Sequence, residues 1–259
     1  MRQEERRRFL IEELLRERPS CRGQEIPADA ESQKMLLRGL MNVRHPAAIS
    51  QRFLEVQDTY LQEELRVKKI TRLSELSPVQ EGIYLWRGDI TTLACGAIVN
   101  AANSGMTGCY QPCHNCIDNC IHTYAGVQLR LKCAKMMEQQ GYAEPTGRAR
   151  ITPAYNLPCD YVIHTVGPIV QGKLSQQHCE LLASCYRSCL KLADENSVSG
   201  IAFCCISTGV FMFPNDRAAE IAVRTVKEYK EKTGSRIEVV FNVFKEQDER
   251  IYRELLGAD

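Results

Sequence analysis

Short runs of apolar and β-branched residues alternate with helical segments from about residue 84 to the end of the chain. The predicted strands span residues 84–86, 97–99, 161–163, 201–206 and 237–241. The predicted helices span residues 118–139, 176–196, 216–232 and a last segment that ends near residue 256. Strands that are apolar throughout and alternate with helices are typical of a sheet covered on both faces. This pattern predicts an α/β domain with three layers, α/β/α, over residues 77–259.

Residues 1–76 have a different texture and are predicted to be helical. Three apolar stripes recur at helical spacing, and Pro19 is predicted to end the first of them. The stripes are Leu10, Ile11, Leu14 and Leu15; Leu36, Leu37, Leu40 and Met41; and Ile49, Phe53, Val56 and Tyr60. Such stripes carry no chemistry by themselves. We interpret this region as a helical N-terminal extension that serves as a subdomain or as an arm for a partner.

Composition excludes several functional classes. Charged residues make up 25% of the chain and the net charge is +1, so we expect neither nucleic acid nor an anionic membrane as a partner. No apolar run approaches the roughly 20 residues of a membrane span, and the first residues lack the apolar core of a signal peptide. The cysteines number 13, and some lie in apolar runs such as Cys204 and Cys205. These features predict a reduced, cytoplasmic location.

A cluster of three cysteines and a histidine lies within residues 109–116. Thiolate and imidazole are ligands that zinc prefers, and short spacing lets one loop surround the ion. No second cluster lies nearby and Asp118 follows closely, so the pattern favours an open site with a position left for water or substrate. A closed structural zinc site is the alternative if Cys113 supplies a fourth ligand. A loop of packed thiols is the other, but Pro112, His114 and Asn115 are poor core residues.

Three further loops follow predicted strands. Asp89 can accept hydrogen bonds from an amine or cap a helix. The segment 100–105 offers two asparagines, which suit sugar hydroxyls but also form ordinary turns. The segment 207–211 leads to a helix start near residue 216, an arrangement that can bind phosphate through backbone amides. Ligands bind at the carboxyl ends of strands in open α/β sheets, so these loops indicate one binding edge.

Taken together, the motifs resemble the macrodomain family over residues 77–259. The matching segments are Gly88-Asp89-Ile90-Thr91, Ala97-Ile98-Val99-Asn100-Ala101-Ala102-Asn103, Ile117-Asp118-Asn119-Cys120-Ile121-His122, Pro145-Thr146-Gly147, Tyr161-Val162-Ile163-His164-Thr165-Val166-Gly167-Pro168 and Ile206-Ser207-Thr208-Gly209-Val210-Phe211-Met212-Phe213-Pro214. The resemblance implies a three-layer α/β/α macrodomain with a mixed central sheet.

The cysteine cluster stands where most de-ADP-ribosylating macrodomains have a glycine-rich run. Together with the helical extension, it resembles the zinc-dependent microbial subgroup of protein-ADP-ribose hydrolases. That resemblance implies one Zn²⁺ per chain, held by Cys109, His114 and Cys116, with Cys113 at a variable position. The subgroup is associated with sirtuin-type ADP-ribosyl transferases and lipoyl-carrier proteins, which makes a modified lipoyl-carrier protein a candidate partner.

The resemblance also implies a part for each loop in binding ADP-ribose. Asp89 would accept from the adenine amine beside the Ile90 backbone, and Asn103 would hold the distal ribose. The segment that wraps the diphosphate would consist of Ser207, Thr208, Gly209, Val210 and Phe211. The opposite wall would consist of Cys116, Ile117, Asp118 and Asn119.

We therefore expect an enzyme that hydrolyses mono-ADP-ribose from protein side chains at C1″ of the distal ribose. Asp118 and Asn103 are the predicted catalytic residues: Asp118 as general base, and Asn103 at the distal ribose. Zinc is expected to position the distal ribose or its water and to act as a Lewis acid. Two alternatives remain at this point, a reader module that binds ADP-ribose without turnover and an O-acetyl-ADP-ribose deacetylase.

Overall fold

Three helices open the chain in the computed structural model, which describes residues 1–18 and 23–258. They are α1 (Gln3–Arg16), α2 (Ala30–Val43) and α3 (Gln51–Arg66). Asp29 and Ser50 cap α2 and α3, because each side-chain oxygen accepts from the backbone amide three residues later. Pro19, the predicted end of the first helix, lies outside the described residues.

The apolar faces of these helices form a small core of their own. Its most deeply buried members include Leu10, Ile11 and Phe53, which come from the predicted stripes and have no solvent exposure. Val127 of the following domain completes this cluster. The predicted N-terminal helices are therefore confirmed. The boundary between residues 76 and 77 stays a prediction.

The remainder of the chain builds a mixed sheet of seven strands, in the order β2-β3-β9-β8-β5-β7-β6. The strands are β2 (Pro78–Gln80), β3 (Ile83–Arg87), β5 (Ala97–Ala102), β6 (Ala149–Pro153), β7 (Tyr161–Val166), β8 (Gly200–Phe203) and β9 (Glu238–Val243). The five central strands are parallel, and β2 and β6 are antiparallel edges. Two short strands outside this sheet pair with each other, β1 (Thr71–Arg72) and β4 (Leu93–Ala94). The carboxyl ends of the central strands therefore meet at one edge.

Helices flank this sheet, as predicted for a three-layer α/β/α fold. They are α4 (Ile117–Ala125), α5 (Val127–Gln140), α6 (Gln176–Glu195), α7 (Asn215–Thr233) and α8 (Glu246–Leu256). The helices α6, α7 and α8 pack side by side, whereas α4 packs on β5, α5 and α2. Buried strand residues such as Ile98, Val99 and Val239 have no exposure, which agrees with cover on both faces. Among the described residues, no helix is both long enough and apolar enough to cross a membrane.

The predicted helix 118–139 is in fact two helices that meet at Gly126. Gly126 has φ +97°, and a Cβ there would come within 2.6 Å of the Gln57 side chain from α3. The same Gln57 accepts from the Val127 amide at 2.9 Å, which caps α5. A residue of the N-terminal extension thus stabilises a helix start in the α/β domain. The strand predicted to end at residue 206 ends at Phe203 and leads into turns.

Candidate active site

The loops singled out in the sequence meet at the carboxyl edge of the central strands. β3 and β9 are paired so that Arg87 lies opposite Val243, and β5 lies between β7 and β8. The loops that leave these strands carry Asp89, the segment 103–116 and the segment 207–214. We call residues 109–116 the ligand loop and residues 207–211 the amide loop.

Asp89 lies where β3 ends and caps a short 3-10 helix, Ile90–Thr92. One carboxylate oxygen accepts from the amide and the hydroxyl of Thr91, at 3.0 and 2.6 Å. The other lies 3.8 Å from the Lys68 ammonium, and 43% of the side chain is exposed. The capping interpretation therefore holds, and one oxygen still faces outward. Ile90 is buried in the core, with 2% of the residue exposed.

Asp118 is buried in the first turn of α4 between two asparagines from the β5 end. Asn100 donates to one oxygen of Asp118 at 2.8 Å, and Asn103 donates to the other at 3.3 Å. Burial raises the pKa of this carboxyl to about 6, and the hydrogen bond from Asn100 opposes the rise. Asn103 also donates to the Gly108 carbonyl at 3.2 Å. Both predicted catalytic residues thus lie in one hydrogen-bonded group.

The ligand loop brings the Cys109 and Cys116 sulfurs and one His114 nitrogen within 4.8 Å of one another. The Cys109 sulfur lies 3.7 Å from His114 Nδ1. Two thiols and an imidazole are a donor set that suits zinc, so these side chains fit the implied metal. The Cys113 thiol is directed elsewhere and donates to the Met35 carbonyl at 3.4 Å. The described geometry therefore brings three of the four candidate ligands together.

Asn119, predicted to line the wall of the substrate site, has its side chain directed into the protein. Its side chain has no solvent exposure, and its amide donates to the Gln111 carbonyl at 2.9 Å and the Cys109 carbonyl at 3.4 Å. Its backbone amide donates to the Cys116 sulfur at 3.4 Å. Asn119 therefore holds the ligand loop from inside. Cys116 and Ile117, at the start of α4, are partly exposed beside it.

The amide loop is shaped by two left-handed residues, Ser207 with φ +67° and Met212 with φ +55°. Thr208 is turned inward, since its amide and hydroxyl both donate to the Cys205 carbonyl. Within residues 1–18 and 23–258, the amides of Gly209, Val210 and Phe211 donate no hydrogen bond to the protein. Successive backbone amides without a protein acceptor, ahead of a helix start, are groups that can bind an anion.

Sequence reasoning missed two residues of this edge. Phe244 directly follows β9 and is 77% exposed, next to the loop that leaves β3. An exposed aromatic ring in that position can stack on a planar base. Asn100 was treated as one of two asparagines in a loop, but it lies inside β5 and orients Asp118. The sequence signal that could have identified Phe244 is an aromatic residue directly after a buried strand.

Comparison with known proteins agrees with this fold. The Macro domain family matches residues 99–222. A protein-ADP-ribose hydrolase of Treponema medium is 62% identical over 261 residues, covering 99% of this chain and 100% of that protein. A protein-ADP-ribose hydrolase of Staphylococcus aureus (strain MSSA476) is 51% identical over 253 residues, covering 97% of this chain and 95% of that protein.

A solved structure shows the same architecture with a ligand bound. The crystal structure of the Trypanosoma brucei macrodomain in complex with ADP-ribose is 30% identical and superposes with a TM-score of 0.66. The match covers 85% of this chain and 95% of that one. Fold and site together define a three-layer α/β/α domain with a candidate ligand site at the carboxyl edge of its sheet. This chain belongs to the macrodomain family.

Proposed function

We propose that this protein is a zinc-dependent hydrolase that removes mono-ADP-ribose from modified protein side chains. The observation that carries the proposal is the convergence of Cys109, His114 and Cys116 within 4.8 Å, two residues before a buried, hydrogen-bonded Asp118. The relatives from Treponema medium and Staphylococcus aureus carry the name protein-ADP-ribose hydrolase, which supports the reaction.

The substrate ADP-ribose would span the carboxyl edge of the sheet. The exposed Phe244 ring suits the adenine face, and the outward oxygen of Asp89 suits its exocyclic amine. The amides of the amide loop suit the diphosphate. Asn103, which lies beside both Asp118 and the ligand loop, suits the hydroxyls of the distal ribose. In this proposed arrangement C1″ would lie near Asp118, the proposed general base.

Zinc held by Cys109, His114 and Cys116 would supply Lewis acidity and a positive charge that favours the ionised carboxylate. Asp118 takes a proton from water, whose oxygen forms a new bond to C1″. The bond from C1″ to the protein side chain breaks, and the side chain leaves with its electron pair. Asn100 and Asn103 hold the two carboxylate oxygens in place during this transfer. The binding contacts along the edge fix the geometry of the reacting atoms.

The test is release of ADP-ribose from mono-ADP-ribosylated proteins, with and without a zinc chelator. Substrates linked through carboxylate, serine and arginine are compared, together with a modified lipoyl-carrier protein. Release that stops with the chelator and returns with added zinc is the expected result. A protein that binds ADP-ribose but releases none would be a reader module. Turnover of O-acetyl-ADP-ribose alone would replace the hydrolase with a deacetylase.

We also propose a cytoplasmic location. The twelve cysteines within the described ranges 1–18 and 23–258 are all free, which suits a reduced compartment. The proposed ligands Cys109 and Cys116 need such a compartment to stay available for a metal.

A further inference from the structure

Helix α2 of the N-terminal extension lies directly against the ligand loop. Arg38, in the middle of α2, donates to the His114 carbonyl at 2.7 Å and to the Asn119 side-chain oxygen at 3.1 Å. The first contact holds the backbone of a proposed zinc ligand. The second holds the residue that organises the rest of the loop.

Through Asn119, the contact from Arg38 extends to the two proposed cysteine ligands. The Asn119 side chain donates to the Cys109 carbonyl, and its backbone amide donates to the Cys116 sulfur. Since Arg38 binds the Asn119 oxygen, it fixes which way that amide group points. One guanidinium is thus linked to His114 directly and to Cys109 through the Asn119 side chain, and the same Asn119 contacts the Cys116 sulfur through its backbone amide.

Asn42, one helical turn further along α2, holds the residue before His114. Its oxygen accepts from the Cys113 amide at 2.9 Å, and its nitrogen donates to the Thr123 hydroxyl of α4 at 2.8 Å. Cys113 has φ +54°, a left-handed backbone that an L-residue adopts only when its surroundings hold it. Asn42 is 1% exposed, so this support is shielded from water.

Arg130 of α5 joins the same region from the other side. It donates to the carbonyls of Asn42 and Arg44, at the end of α2, at 2.6 and 2.7 Å. It also reaches the Cys109 carbonyl at 3.4 Å and lies over the Tyr110 ring. A cation at a helix C-terminus binds carbonyls that have no partner inside the helix. The end of α2 and the start of the ligand loop are therefore fastened together.

We propose that α2 is part of the metal centre, with Arg38 and Asn42 acting as positioning residues for the three zinc ligands. This inference rests on the proposed zinc site. Groups that orient metal ligands from outside set metal affinity, and losing one weakens it by about 10- to 100-fold. The N-terminal extension is then required for the site, and not only for a partner.

The experiment measures zinc affinity in the full-length chain by competition with a chromophoric chelator. The variants are Arg38→Met, which keeps an unbranched side chain of similar reach to the arginine stem but lacks the guanidinium donors, and Asn42→Leu, which keeps similar volume. Arg38→Lys retains a charge and one donor and serves as a partial rescue. Lys34→Ala is the matched control, because Lys34 lies one turn earlier on α2 and pairs with Glu31 and Glu64. Melting temperature in excess chelator reports the packing of α2 without metal.

We expect the zinc dissociation constant to rise about 10- to 100-fold in Arg38→Met and Asn42→Leu, and less in Arg38→Lys. Lys34→Ala should bind zinc like the wild type. Wild-type affinity in both folded variants would overturn the inference, as would an equal loss in Lys34→Ala. If Arg38→Met does not fold, Asn42→Leu decides alone by the same criterion. If the wild type itself binds no zinc, the proposed zinc site is refuted. That failure is seen in the wild type and is therefore distinct from an effect of the variants.

Discussion

The ligand loop and the amide loop face the same edge of the sheet but are built in opposite ways. The ligand loop presents side chains, and α2, α4 and α5 hold it through Arg38, Asn119 and Arg130. The amide loop presents backbone amides, and its shape comes from its own turns, with the Val210 side chain 69% exposed. Side chains that must converge on one point need a surrounding layer of contacts, whereas backbone groups are placed by φ and ψ.

The largest expected effect is at Asp118, beside the ligand loop. Asp118→Ala should lower hydrolysis by about 10²- to 10⁴-fold, because a positioned acid–base group contributes that much. ADP-ribose binding should persist, since the amide loop is untouched. Release of ADP-ribose and calorimetric binding measure the two effects. Asp160→Ala, at an exposed position before β7, is the control. A variant that keeps wild-type turnover would refute the role of Asp118.

The next largest effect is on zinc content, and it distinguishes the proposed ligands of the ligand loop from Cys113. Cys109→Ala, His114→Ala and Cys116→Ala should each lose most of the zinc, which we expect at about one ion per chain in the wild type. Cys113→Ala should keep it, because the Cys113 thiol contacts the Met35 carbonyl instead of the other ligands. Metal analysis of the purified variants decides. Zinc loss in Cys113→Ala would mean that the site is closed by a fourth thiolate.

A smaller effect is expected at Phe244, the residue proposed to stack on the adenine. Phe244→Ala should weaken ADP-ribose binding roughly tenfold, since stacking on an aromatic ring is worth about 1–3 kcal/mol per base. AMP, which carries the same base, should lose affinity by a similar factor. Calorimetry with both ligands checks this, with Tyr161, exposed at the amino end of β7, changed to Ala as control. Unchanged AMP binding would place the base elsewhere.

The smallest effect is expected at Val210, and it tests how the amide loop binds its ligand. Val210→Ala should change ADP-ribose affinity by less than about twofold, because alanine keeps the backbone amide proposed to bind the diphosphate and only an exposed side chain, worth within about 0.5 kcal/mol, is lost. The amide loop would then bind through its backbone alone. A tenfold loss in the same calorimetric assay would show that its side chains matter, and the contrast with the ligand loop would disappear.

The order of elements was predictable because strand and helix periods are local properties. The break at Gly126 was not, since the apolar pattern continues through it. At that point the Gln57 side chain accepts from the Val127 amide and caps α5, a contact across 70 residues of sequence. The edge strand β6 was missed for a related reason, because its residues are only partly buried and show no clear alternation.

In the candidate site too, local patterns could be predicted from the sequence, whereas long-range contacts could not. The grouping of Cys109, His114 and Cys116 could be predicted from spacing, because these residues lie in one short segment. Arg38 lies 76 residues before His114, and no local pattern marks an arginine in an amphipathic helix as a neighbour of a metal loop. The part of Asn119 was also hidden, since sequence does not show whether a side chain faces the ligand or the interior.

The direction of the Cys113 thiol has a consequence for how zinc would enter the proposed site. In an unfolded chain, Cys113 is as available as the cysteines on either side of it, and metals bind unfolded Cys and His segments. Only the folded backbone, with its contact from Cys113 to Met35 across 78 residues, separates this thiol from the others. Ligand selection is therefore a property of the folded state. Zinc should stabilise the protein by less than its native-state affinity implies, because the unfolded chain competes for the same ion.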